Sequence, residues 1–229
     1  MTKQAETWLL KSLDYEFEDP DLLAQALTHR SAAGTSNERL EFLGDAVLDV
    51  VVSEFLFRSH AHAPEGDLSR MRAALVNDSA LGDLAQALGV GEHLALGGGE
   101  RKAGGHRRES ILADALEALF GAVYLDRGFE AARGFIERAF GDRLLAVPAA
   151  AELRDPKTRL QEWLQGKGLP LPEYELVDVT GAAHRQRFEV ACRVASGAGP
   201  TTGTGTSRRG AEQDAAEKML AALGAEPLE

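Results

Sequence analysis

A single cysteine, Cys192, stands in 229 residues, so no internal disulfide is available and a reducing compartment suits the chain. Positive charge is also scarce. Twenty-five Lys and Arg face 36 Asp and Glu, a net charge of −11. Residues 1–150 hold 15 cations against 24 anions, and residues 151–229 hold 10 against 12. Neither half offers a broad basic footprint for nucleic acid, so any such affinity must come from local clusters. No uncharged apolar run approaches the roughly 18 residues of a membrane span. The opening Met1–Thr7 lacks the basic start and apolar core of a signal peptide. These absences predict a cytoplasmic protein with no membrane partner.

What the sequence does have is a stripe of acids in an apolar setting. In Asn37-Glu38-Arg39-Leu40-Glu41-Phe42-Leu43-Gly44-Asp45-Ala46-Val47-Leu48, about 100° per residue brings Glu38, Glu41, Asp45 and Asp49 onto one helical face. Phe42 and Leu48 border that face, while Leu40, Leu43 and Val47 lie opposite it. Carboxylates in such surroundings cost several kcal/mol each, on the order of the desolvation penalty, unless a cation sits among them. No Lys or His shares the stripe, and Arg39 points elsewhere. A divalent ion is the simplest partner.

A second segment repeats the pattern. Ile111 to Leu125 is apolar on every side except for Asp114 and Glu117, which share a face at i and i+3. Two buried helices with acids along one edge can pack into a carboxylate cluster. Oxygen-only ligation suits Mg²⁺, with Mn²⁺ as a substitute, whereas zinc would call for His and Cys.

Apolar periodicity runs through Trp8–Leu13, Pro20–Thr28, Leu40–Phe57, Leu68–Leu88, Ile111–Leu125 and Phe129–Leu145, so residues 1–145 read as a mainly helical domain. Gly97–Gly99 and Gly104-Gly105 bracket a basic stretch. No strand precedes it and no G-K-[ST] follows, which predicts a flexible connection rather than a phosphate cradle. Residues 146–153 form a linker of small residues. A helix at Thr158–Gly166, strands at Glu173–Thr180, Gln186–Val194 and Thr201–Thr206, and a helix at Arg208–Leu223 then predict a small α+β module of α-β-β-β-α order at 154–223.

The Asn37–Leu48 run resembles the signature of the ribonuclease III family of double-strand-specific endoribonucleases. Leu27-Thr28-His29-Arg30-Ser31 and Asp114-Ala115-Leu116-Glu117-Ala118 match as well, and the α-β-β-β-α module, with Ser-Arg-Arg opening its last helix, resembles a double-stranded RNA-binding domain. The resemblance implies a Mg²⁺-dependent hydrolase in which Glu41, Asp45, Asp114 and Glu117 hold one or two ions. Asp45 and Glu117 would be central to catalysis. Water as nucleophile leaves 5′-phosphate and 3′-hydroxyl ends. Glu38 would sit at the edge and bond to the ribose, and Glu65 matches a further acid near the substrate. Substrates would include rRNA precursors, mRNAs and other structured transcripts.

In the second domain the resemblance implies that Gln161 and Gln165 meet 2′-hydroxyls, that His184 lies in a loop entering the next minor groove, and that Arg208 and Arg209 meet phosphate. Arg107 and Arg108 could approach the backbone from the first domain. Gly210 and Glu212 thin the basic patch, so weak and salt-sensitive binding is expected. The resemblance also implies a two-fold homodimer with Phe42 entering a socket on the partner, two active sites and staggered cuts with short 3′ overhangs. Two alternatives are a binding-only RNA protein and a helical hydrolase of a small phosphorylated substrate. The four acids argue against the first, and the C-terminal module against the second.

Overall fold

A computed structural model describes residues 2–148, 153–182 and 185–225, and the chain divides into two compact units, Met1–Pro148 and Ala149–Glu229. The first unit is helical: α1 (Thr2–Leu13), α2 (Pro20–Ala26), α3 (Glu38–Ser59), α4 (Glu65–Val76), α5 (Asp78–Ala87), α6 (Gly98–Lys102) and α7 (Glu109–Phe140), with short 3₁₀ turns between. Its centre is the pairing of α3 with α7. Leu40, Val47, Leu48, Val51, Val52 and Leu56 of α3 are buried there, as are Leu112, Leu116, Leu119 and Phe120 of α7. Each such side chain contributes about 1.5–3 kcal/mol by leaving water.

Two glycines set how close these helices come. A Cβ on Gly44 would lie 1.7 Å from the carbonyl oxygen of Glu117, and one on Gly121 would lie 2.2 Å from that of Leu40. The backbones therefore touch where the acids stand, and this contact brings carboxylates from both helices together. Beyond the contact, α7 kinks at Arg127 and Gly128 (φ 78°). Just before the kink, the Asp126 carboxylate accepts from Tyr15 Oη at 2.7 Å and from the backbone N–H of Asp19 at 3.0 Å.

The structure corrects the sequence reading at two places in this unit. The periodic run Leu68–Leu88 is not one helix. Asn77 ends α4, donating from Nδ2 to the carbonyls of Ala73 and Ala74, and begins α5 by accepting from Ala80 N–H at 2.9 Å. The glycine-rich stretch is not a loose connection either. Gly98–Lys102 is helical, Arg101 donates to Leu94 O at 3.0 Å, and Gly97 N–H donates to Ser31 Oγ at 3.0 Å. Glycine is needed because a Cβ at Gly97 would sit 2.2 Å from Ser31 O.

The second unit has the α-β-β-β-α order: α8 (Pro156–Gly166), β1 (Glu173–Thr180), β2 (Arg187–Arg193), β3 (Thr201–Gly205) and α9 (Arg208–Ala222). The strands form an antiparallel sheet in the order β1-β2-β3, with a bulge between Leu176 and Asp178. Leu160, Leu164, Cys192, Ala215, Ala216, Met219 and Leu220 make its core. The lone cysteine is therefore a small buried apolar group.

Candidate active site

Each acid's position follows from α3 and α7 meeting at Gly44 and Gly121. One carboxylate oxygen from each of Glu41, Asp114 and Glu117 falls within 4.8 Å of the others. All three side chains are half-buried. Asp45, one turn further along α3, is exposed and stands outside this trio, though its charge acts on Glu117. The geometry thus gathers three of the four expected ligands, with the fourth beside them.

The electrostatics of the cluster are unfavourable without a cation. Burial, followed by the charges of Asp45, Glu41 and Asp114, pushes the Glu117 carboxyl up to about 8. Glu41 is raised by burial and then by Asp114 and Glu38. Burial and then the charge of Asp78 raise Asp114. Burial and then Asp49 raise Asp45. Clustered oxygens that resist ionisation together match the donor set of a hard divalent ion, whose charge removes their repulsion.

A stability consequence follows. Glu117 ionises near its ordinary 4.5 in the unfolded chain and near 8 in the folded one. Between those values the native state binds more protons, so its contribution to stability falls as pH rises through that window. The metal-free protein is expected to melt progressively lower from pH 5 to pH 8 on this account. Added Mg²⁺ is expected to raise the melting midpoint more at pH 8 than at pH 5. Calorimetry at the two pH values checks this, and an equal Mg²⁺ effect at both would contradict it.

The other expected residues distribute as follows. Glu38 lies at the edge, accepts from Ser36 Oγ at 3.0 Å and is 3.7 Å from Arg30. Glu65 opens α4 and accepts from Ser69 Oγ at 2.8 Å. It lines a different cavity of about 460 Å³, together with Phe57, Leu68 and Arg72, and so does not join the trio within one chain. Asp49 is 3.7 Å from Arg72 Nε. Phe42 projects from α3 with 80% of its surface exposed. Ala46, Val50 and Phe57 continue an exposed apolar stripe along the same helix.

In the second unit Gln161 and Gln165 are exposed one turn apart on α8. His184 lies outside the described residues. Arg208 and Arg209 open α9 behind Ser207, whose Oγ accepts from Gly210 N–H. Both arginines already have acidic partners: Arg208 meets Glu212 at 3.0 Å and Arg209 meets Asp155 at 3.4 Å. Arg107 and Arg108 are exposed, and Arg108 is 3.0 Å from Glu100. Sequence reasoning gave no separate role to Arg30, His29 or Asp78, although their charges reach the cluster. The first two stood in the quoted Leu27–Ser31 motif, but periodicity could not relate them to α3.

Comparison with known proteins agrees with this layout. Residues 19–144 match the family model for ribonuclease-III-like domains, and residues 156–223 match the double-stranded RNA binding motif. Ribonuclease 3 of Alkalilimnicola ehrlichii is 55% identical over 211 residues, covering 92% of each chain. That of Dechloromonas aromatica is 54% identical over 223 residues, covering 97% of this chain and 99% of its own. The solved nuclease domain of ribonuclease III from Campylobacter jejuni, 47% identical, superposes with a TM-score of 0.58 over 61% of this chain and 98% of that one. In that domain, structural flexibility occurs in a region involved in dimer formation.

Proposed function

The chain belongs to the ribonuclease III family, an endoribonuclease with a double-stranded RNA-binding domain, and we propose that it cuts duplex RNA as a Mg²⁺-dependent homodimer. The observation that carries this is the convergence of Glu41, Asp114 and Glu117 in a chain with a duplex-binding module. These three and Asp45 are the residues that would hold the ion, with Mn²⁺ able to replace Mg²⁺. When bound, such an ion supplies Lewis acidity at the phosphodiester and lowers the proton affinity of water. Glu38, held near Arg30, accepts a hydrogen bond from a ribose hydroxyl. With water as the nucleophile, the products carry 5′-phosphate and 3′-hydroxyl ends.

The apolar stripe of Phe42, Val50 and Phe57 supports a two-fold partner, because one helical domain leaves it uncovered. The cavity lined by Phe57 and Leu68 is the proposed socket for the partner's Phe42 ring. Phe42 follows Glu41 directly, so seating that ring carries Glu65 from the socket rim towards the other protomer's acids. This arrangement accounts for an acid that stands apart from the trio in a single chain. Two sites related by a two-fold axis cut opposite strands with a stagger, leaving short 3′ overhangs. Precursor rRNAs and other structured transcripts, processed in the cytoplasm, are the proposed substrates. Among the described residues no helix is long and apolar enough to cross a membrane.

Residues 154–223 are proposed to capture duplex through Gln161, Gln165, Arg208 and Arg209, with His184 completing the contact. Arg107 and Arg108 would add backbone contacts beside the cut. Because Glu212 and Asp155 compete for the two arginines of α9, this capture is expected to be weak and to fall steeply with salt. The test is cleavage of duplex RNA with Mg²⁺ by the whole chain and by a chain ending at Leu145. Both are expected to cut at low salt, and only the whole chain to keep most of its activity at physiological salt. Parallel salt curves would remove the second domain from RNA capture, and absence of cleavage by the whole chain would remove the proposed function.

A further inference from the structure

Beside the acid cluster lies a cavity of about 470 Å³ whose lining joins four acids, Glu38, Glu41, Glu100 and Asp114, to Arg30, Arg108 and Asn37. Asn37 is the informative member. It is only 3% exposed, and it is the buried polar residue among those described. It stands as N-cap of α3, yet its side chain makes no capping bond. Its backbone is satisfied: the N–H donates to Thr28 O at 2.9 Å, and the carbonyl accepts from Leu40 and Glu41. Among the described residues the carboxamide itself has no hydrogen-bond partner. The amide faces the cavity with its hydrogen-bonding capacity open to a ligand, whereas an N-cap asparagine ordinarily bonds the helix instead.

Arg30 points to the same ligand chemistry. It is 72% exposed on its side chain and meets Glu38 at 3.7 Å, so most of its five donors are unused. Its charge also favours the ionised forms of Glu41 and Asp114, which puts it within reach of the cluster. The segment carrying it is fixed in advance. Thr28 bridges to Ala95, His29 Nδ1 meets Ser31 Oγ at 2.8 Å, and Gly97 N–H donates to that same oxygen. Arg108 keeps donors beyond its contact with Glu100.

We propose that this cavity is a subsite for the phosphate adjoining the one that is cut, with Asn37 Nδ2 and Arg30 as its donors. Arg30 and the Asn37 amide leave donors unused, which suits an anion, and duplex RNA presents its phosphates while hiding its base edges. The adjoining phosphate is the fitting one because the cavity shares Glu41 and Asp114 with the trio but extends away from Glu117 to Asn37, Arg30 and Arg108. A divalent ion held by the carboxylates, together with Arg30 and Arg108, would offset the negative charge of the lining towards an anion. The subsite then sets which linkage lies over the acids. It rests on the proposed metal-dependent cleavage of duplex RNA, which cleavage by the unmodified protein tests separately.

Single-turnover cleavage with Mg²⁺ is measured on an all-phosphate duplex and on duplexes carrying a neutral methylphosphonate at either linkage flanking the cut. Arg30→Gln is expected to slow the all-phosphate duplex by at least about tenfold. On one of the two methylphosphonate duplexes it is expected to cost less than about twofold, because the same contact is already gone. Arg30→Lys is expected to recover part of the rate. Asn37→Leu keeps much of the shape, adds no charge to the acid cluster and removes only an amide that makes no capping bond, so it is expected to slow cleavage without lowering the melting midpoint. Loss of the same factor on all three duplexes, or no loss from either variant, overturns the subsite. Failure of the unmodified protein to cut duplex RNA instead removes the reading beneath it.

Discussion

Glu117→Gln is expected to leave duplex-RNA binding nearly intact while slowing cleavage by at least about a hundredfold. The substitution is close to isosteric and Glu117 faces the other carboxylates, so the RNA-contacting surface is unchanged. What is lost is a charged oxygen among the three that converge. Stability should move the opposite way. Burial and four nearby acids hold the Glu117 carboxyl near 8, so at pH 7 to 8 the metal-free wild type bears a cost for protonating it or for keeping it charged. The amide bears neither, and the variant should therefore melt higher than wild type without metal at pH 8, with the gap narrowing towards pH 5. An inactive protein that is more stable cannot be inactive through misfolding. Ca²⁺ in place of Mg²⁺ should mimic the variant, permitting binding and suppressing hydrolysis, because the larger ion takes a different coordination. Cleavage within about tenfold of wild type would mean that Glu117 is not a ligand.

The acids were readable in the sequence because one helical period relates Glu38, Glu41 and Asp45, and because Asp114 and Glu117 are the sole charges of an otherwise apolar segment. Helix order and the α-β-β-β-α module were readable for the same reason, since each element carries its own periodicity. Relations between elements left no such trace. Nothing in the spacing states that Gly44 and Gly121 face each other's backbones, although that contact sets the distance between the acids. Asn77 interrupts a run whose apolar positions continue in phase, so only its hydrogen bonds reveal the break between α4 and α5. The Gly97–Gly105 stretch looked loose because glycine is permissive, whereas at Gly97 and Gly105 it is demanded by close packing on Ser31 and Glu100. The pairing of Arg208 with Glu212 was half visible, since the i,i+4 spacing was there to read, but Arg209 with Asp155 joins residues 54 apart.

Phe42→Ala is expected to dissociate the dimer while leaving each protomer folded. With 80% of its surface exposed in a single chain, the ring adds little to the stability of its own domain, so the variant's melting midpoint at low concentration should barely change. In the proposed dimer the same ring fills a cavity of about 460 Å³ lined by Phe57 and Leu68, and truncating a ring buried in this way costs roughly 3–5 kcal/mol. That corresponds to a rise of about 10²–10³-fold or more in the dissociation constant, and the two-fold axis applies the loss at both sockets. Sedimentation should then find a species of 24.5 kDa at concentrations where the wild type is twice that mass. Paired scission should fall with the dimer, because one acid cluster can cut one strand and Glu65 no longer arrives from the partner. Phe42→Leu, which keeps an apolar knob, should dissociate less, separating loss of the knob from disturbance of Glu41 next to it. A wild-type protein that sediments as a monomer while still making paired, staggered cuts would overturn the two-fold arrangement, for then a single chain would have to supply both cuts from a single cluster.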